Sequence, residues 1–116
     1  MSRWVHQASI QKALQENFEF FCETEQIFRE LYPALERRFD DAFQADNFSE
    51  VREAAHILKT RLRYLHCYTL GDAADTLEKM AVMQQRNEIR AFYGHLKRDI
   101  DEALEELRSI IQEYRE

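Results

Sequence analysis

Only two glycines and one proline occur among the 116 residues. This scarcity of chain breakers constrains the fold more than any other feature of the sequence. A protein of many strands turns often, and its turns draw on Gly, Pro, Asn and Asp. Long periodic segments with hardly a breaker instead fit an all-α fold. An apolar content of 45% is enough to bury a core, and this length suits one compact domain rather than two. The expectation is one domain over residues 1–116, an antiparallel up-and-down four-helix bundle with a short lateral N-terminal helix. Its helices are expected at about 3–15, 18–45, 49–66, 69–83 and 88–115.

The central segment reads VREAAHILKTRLRYL, from Val51 to Leu65. Val51, Ala55, Leu58, Leu62 and Leu65 recur at alternating spacings of four and three, the period of one helix face. Arg52, His56, Lys59 and Arg63 form a second stripe about 100° round the cylinder. The first stripe calls for a core; the second leaves a histidine in water with cations a turn to either side.

Around this segment the chain reads as helix after helix. Trp4, Val5, Ala8, Ile10, Ala13 and Leu14 give residues Ser2 to Glu16 a modest helical pattern. Asn17 can cap the segment that follows. There Phe20, Phe21, Ile27, Phe28, Leu31, Leu35, Phe39, Ala42 and Phe43 give an aromatic-rich apolar face. Pro33 lies within it and predicts a bend, or a break near Tyr32. The polar run from Gln44 to Ser49 is a loop, with Asp46, Asn47 and Ser49 all able to cap the next helix. Thr69 is the expected cap of the third core helix, with Asp72 an anion in its first turn. Gln84 to Asn87 is the next break, and Ile89 to Tyr114 carries the last apolar stripe. Tyr64 and Tyr68 are expected to be partly in the core.

The formal net charge of −6 argues against nucleic acid and anionic membrane surfaces, which attract basic faces. No run approaches membrane-spanning length and the N-terminus lacks an apolar signal region, so the cytoplasm is expected. Cys22 and Cys67 read as reduced thiols, and His66 beside Cys67 completes no metal-ligand spacing. There is no Gly-rich phosphate loop, GxSxG, HExxH or CxxC. An ATP-dependent kinase needs a phosphate cradle and metal carboxylates, so no kinase activity and no cofactor are expected.

What remains is the histidine. A neutral imidazole is a nucleophile toward phosphorus near neutral pH, and nearby cations stabilise a phosphoryl group in transfer. The run Ala55-His56-Ile57-Leu58-Lys59, followed by Leu62, Leu65 and Leu70, resembles the signature of histidine-containing phosphotransfer (HPt) domains. That signature is Ala-His-x-Leu-Lys-Gly-Ser-x-x-x-Leu-Gly-x-x-x-Leu. A long preceding helix with a mid-helix proline, a short Asp-containing loop and the pair Leu77-Glu78 also fit it. The resemblance implies a four-helix bundle that relays phosphate without catalysing anything alone. It makes His56 the phosphate acceptor and Lys59 the cation that steadies the phosphohistidine. It implies response-regulator receiver domains and a hybrid sensor kinase as partners, the receiver contributing an aspartate and a magnesium ion. Arg52, Thr60 and Arg63 are the expected partner-binding residues, and a monomer is expected. Thr60, Arg61 and His66 depart from the signature, standing where it has glycine, a small residue and glycine. A β-branched residue at Thr60 narrows the space beside His56, and so an HPt-like adaptor or antagonist that carries no phosphate is the alternative.

Overall fold

A computed structural model describes residues 3–116. It consists of four helices: α1, Gln7–Gln44; α2, Phe48–Tyr64; α3, Tyr68–Val82; and α4, Arg86–Arg115. There is no strand among the described residues. The all-helical expectation therefore holds. The bounds of α2, α3 and α4 differ from those read off the sequence by two residues or fewer at each end. The first helix starts later than expected, at Gln7, and Ser2 lies outside the described residues. Arg3 and Trp4 instead lie in a bend ahead of the helix, their N–H groups donating to the two oxygens of Glu106 at 2.8 and 3.0 Å. His6 caps the helix, its Nδ1 accepting from the Ser9 N–H at 3.3 Å.

The break in α1 falls at Asn17 and not at Pro33. Asn17 has non-helical φ −157° and ψ 80°, and its Oδ1 accepts from the Phe20 N–H at 3.1 Å. It thus acts as an N-cap at a kink within α1. The chain continues helically through Pro33. Proline there leaves the Arg29 carbonyl without a donor, but Pro33 lies on the exposed side, where water can satisfy it.

The three connections are built alike. Asp46, His66 and Gln84 adopt φ of 50°, 62° and 55° at the ends of α1, α2 and α3. In each, the next N–H reaches back five residues: Asn47 to Ala42 at 2.8 Å, Cys67 to Leu62 at 3.0 Å and Gln85 to Met80 at 3.2 Å. The residue before it donates to Phe43, Arg63 or Ala81. This is the Schellman arrangement, usually closed by glycine. Here Asp, His and Gln take the left-handed position, which is how a chain so poor in glycine still turns sharply. The residue that closes each turn also begins the next helix, so each connection needs only three residues. Asn47 caps α2 through its side chain, accepting from the Glu50 N–H at 3.1 Å. The expected Thr69 cap is not used. Cys67 occupies the cap position without a side-chain bond, and no acid lies in the first turn of α3.

The core runs through all four helices, with Phe28, Phe39, Leu58, Leu62, Leu77 and Leu107 essentially inaccessible. Removing each such side chain from water contributes about 1.5–3 kcal/mol. Phe20 and Ile27 do not join it. They are 64% and 50% exposed, because the buried face of α1 is centred on Phe21, Phe28 and Phe39 and their neighbours lie off its edge. Tyr64 is likewise 61% exposed. Phe21 stacks on His66 at 6.1 Å and Arg38 pairs with Glu50 at 2.6 Å, tying α1 to α2 at both ends. Lys97 pairs with Glu36 at 3.1 Å and Phe18 stacks on Tyr114 at 4.8 Å, tying α1 to α4.

Candidate functional site

The buried stripe of α2 (Val51, Ala55, Leu58, Leu62) fixes the rotation of that helix. With those residues inward, His56 must face out, and its side chain is 61% exposed. Arg52 stands exposed one turn before it.

The other two cations of the stripe are not free. The Lys59 ammonium donates to Glu78 Oε1 at 2.9 Å and to Asp75 Oδ1 at 3.1 Å, and its side chain is only 14% exposed. Arg63 pairs with Asp72 at 3.3 Å, and its side chain lies across Gly71, where an added Cβ would come within 2.9 Å of Arg63 Cγ. A basic ridge on α2 therefore meets an acidic ridge on α3. Arg63, Lys59 and His56 meet Asp72, Asp75 and Glu78 in reverse order along the two helices.

Glu78 joins the histidine to the lysine. Its Oε1 lies 3.4 Å from His56 Nδ1 as well as 2.9 Å from Lys59 Nζ. Burial pushes the Glu78 carboxyl up, but the bonds and charges of Lys59 and then His56 outweigh it and hold the group below its ordinary value. Asp75 is lowered by its bonds to Lys79 first and Lys59 second. Lys59 is raised, chiefly by its bond to Glu78 and then by Asp75. Both carboxyls are ionised at neutral pH. A carboxylate can only accept, so the His56 tautomer that suits this contact carries its proton on Nδ1 and leaves the Nε2 lone pair free.

Thr60 does not bond the imidazole. Its hydroxyl donates to the backbone carbonyl of His56 at 3.1 Å, the local back-bond open to Ser and Thr within helices. Arg52, His56, Lys59, Thr60 and Arg63 thus share one side of α2, but only Lys59 and His56 meet at a common atom. The sequence reading missed Asp75. Its signal lay in the spacing of Asp72, Asp75 and Glu78, a stripe that mirrors the basic one across the turn at His66.

Among the described residues no group of three or more His, Cys, Asp or Glu is placed to hold a metal ion, and no helix is long and apolar enough to cross a membrane. A model of the Hpt domain family matches residues 19–113. Neither the curated proteins nor the solved structures hold a significant match to the chain.

Proposed function

Starting from a chain that belongs to the Hpt domain family of two-component signalling, we propose that it relays phosphoryl groups between receiver-domain aspartates through His56. In this reading residues 1–116 form one such domain, its helices in antiparallel up-and-down order with the segment before Asn17 as the lateral helix. It needs no cofactor of its own, acts as a monomer in the cytoplasm and has no kinase activity. The receivers bring their own magnesium, and a hybrid sensor kinase feeds the relay.

The observation that carries the reading is the contact of His56 Nδ1 with Glu78. It favours Nε2 as the attacking nitrogen. The Nε2–P bond forms as the P–O bond to the receiver aspartate breaks, and the electron pair of that bond leaves on the aspartate as carboxylate. The ring gains positive charge on attack, and the Glu78 carboxylate offsets it. Return to a second aspartate reverses the same steps. Lys59 steadies Glu78 from the other side, its Nζ 2.9 Å from the oxygen that faces His56, and would share its charge with the phosphoryl oxygens. Arg52, Thr60 and Arg63 border the receiver.

A second reading draws on the commitment of Lys59 to two carboxylates and on Thr60 beside the histidine. An adaptor would occupy a receiver or kinase without accepting phosphate. The test is to mix the protein with a receiver phosphorylated on its aspartate, in magnesium, and follow the label. Transfer to the wild type and none to His56→Gln supports the relay. A stable receiver complex, equally tight with His56→Gln and never labelled, supports the adaptor.

A further inference from the structure

On a side of the molecule that shares no residue with the His56 face, the first segment of α1 and the C-terminal half of α4 enclose an open groove of about 840 Å³. Its floor is apolar, formed by Ile10, Leu14 and Ile110, with Tyr114 at one end. Tyr114 is 46% exposed and its ring stacks on Phe18 at 4.8 Å, which joins α1 to α4 at this end. The α4 wall carries Glu102, Glu105, Glu106 and Glu113, whereas the α1 wall carries Gln7, Gln11 and Gln15. Among the described residues no lysine, arginine or histidine lines it.

These walls are regular. Residues 102 to 114 of α4 span about 18 Å along the helix axis, the length of some three helical turns. Along that length Glu102, Glu105, Glu106 and Glu113 share one rim, with Ser109 between the third and the fourth. Two of them already bind cationic or N–H donors of this chain: Glu102 pairs with Arg3 at 3.6 Å, and Glu106 accepts from the Arg3 and Trp4 N–H groups. Glu105 and Glu113 are exposed on the same rim.

We propose that this groove docks an amphipathic helix of a partner protein, with lysines or arginines along the edge that meets α4. Apolar side chains at helical spacing would fill the floor, and uncharged polar groups would meet the glutamines. The one-sided charge selects both the occupant and its orientation. An acidic or neutral helix gains nothing from the glutamate wall, and a strongly basic coil does not use the floor. The groove leaves His56 uncovered, so docking does not require that His56 carry phosphate.

The probe is a capped 14-residue peptide with leucines at i, i+3, i+4 and i+7 and lysines along one flank, with a Lys→Glu counterpart as control. Binding to the isotope-labelled full chain is followed by amide chemical shifts and by fluorescence anisotropy. The expected shifts are confined to residues 7–15 and 102–114. Glu105→Lys with Glu113→Lys should weaken binding by about tenfold or more, as should Ile110→Ser with the bundle intact by circular dichroism. Asp41→Lys with Glu53→Lys makes the same change in net charge on exposed positions elsewhere and should weaken it far less. The proposal is overturned if shifts spread over every acidic surface, if the two double reversals act equally, or if the Lys→Glu peptide binds as well. A failure of His56 to accept phosphate would leave all of these outcomes unchanged.

Discussion

Two histidines, one in the middle of α2 and one in the turn that ends it, stand in opposite surroundings. His56 stands in the regular part of α2, open to solvent, with one ring nitrogen against a carboxylate. His66 sits in the turn that ends α2, with φ of 62°. It stacks on Phe21, bonds the Tyr68 hydroxyl at 2.8 Å through Nδ1, and accepts the His6 N–H at its carbonyl. Burial first, and His6 second, lower its pKa. An imidazole with a free nitrogen and an anionic neighbour is equipped for transfer. One with its ring packed and its backbone bonded ties the α2–α3 turn to α1 and the segment before it.

The widest separation between the two should come from replacing each in turn. His56→Gln is expected to lose all label from a phosphorylated receiver while keeping the wild-type helical content. His66→Asn, which tolerates the left-handed conformation, should still be labelled. Equal loss in both variants would break the distinction.

A smaller effect is expected from the residues that tie His56 to α3. Glu78→Gln removes the anion that offsets the charged ring, and should slow transfer about tenfold or more without removing the acceptor. Lys59→Ala should also slow it, and leaves Glu78 and Asp75 without their shared cation. Single-turnover rates with a receiver measure both, and unchanged rates would take these residues out of the mechanism.

The sequence carried some of this and hid the rest for identifiable reasons. Val51 to Leu65 was legible because a strict apolar period fixes the rotation of a helix, and with it the exposure of His56. Asn17 was legible as a cap, since its side chain has a local partner three residues on. Pro33 was misleading, because the cost of a missing donor depends on whether water reaches the orphaned carbonyl, which only the packing decides. Phe20 and Ile27 were misplaced for a related reason: a helix rich in aromatics has more apolar residues than its buried face can take. The pairing of Lys59 with Asp75 needs two helices in register, and Glu25, buried at 4% exposure against Arg29 at 2.6 Å, gives no pattern at all. The turns were legible as positions but not as a device, since Asp46, His66 and Gln84 share no residue type.

The His66 turn also sets a pH dependence. Its folded pKa is depressed below 6.5, so the neutral ring contributes stability that is present above 6.5 and lost as the pH falls through the lowered value. The thermal stability of the wild type should therefore fall between pH 7 and pH 5, more than that of His66→Asn. The Glu78 and Asp75 carboxyls are lowered too, and their contribution should vanish only as the pH drops below the ordinary 4.5 and 3.8 of such groups. Parallel melting curves for wild type and His66→Asn between pH 7 and pH 5 would remove His66 from this account. The smallest effect concerns the third turn. Gln84 is exposed at φ 55°, so Gln84→Gly should stabilise the fold by up to about 1 kcal/mol by denaturant titration.

The most direct test of the central claim needs no partner. Wild type and His56→Gln are incubated with phosphoramidate and magnesium, and intact mass is recorded at neutral pH and after brief acid. One phosphate on the wild type alone, lost in acid, is the predicted result and makes His56 an open nucleophile. Phosphate on neither protein, or equally on both, would contradict it.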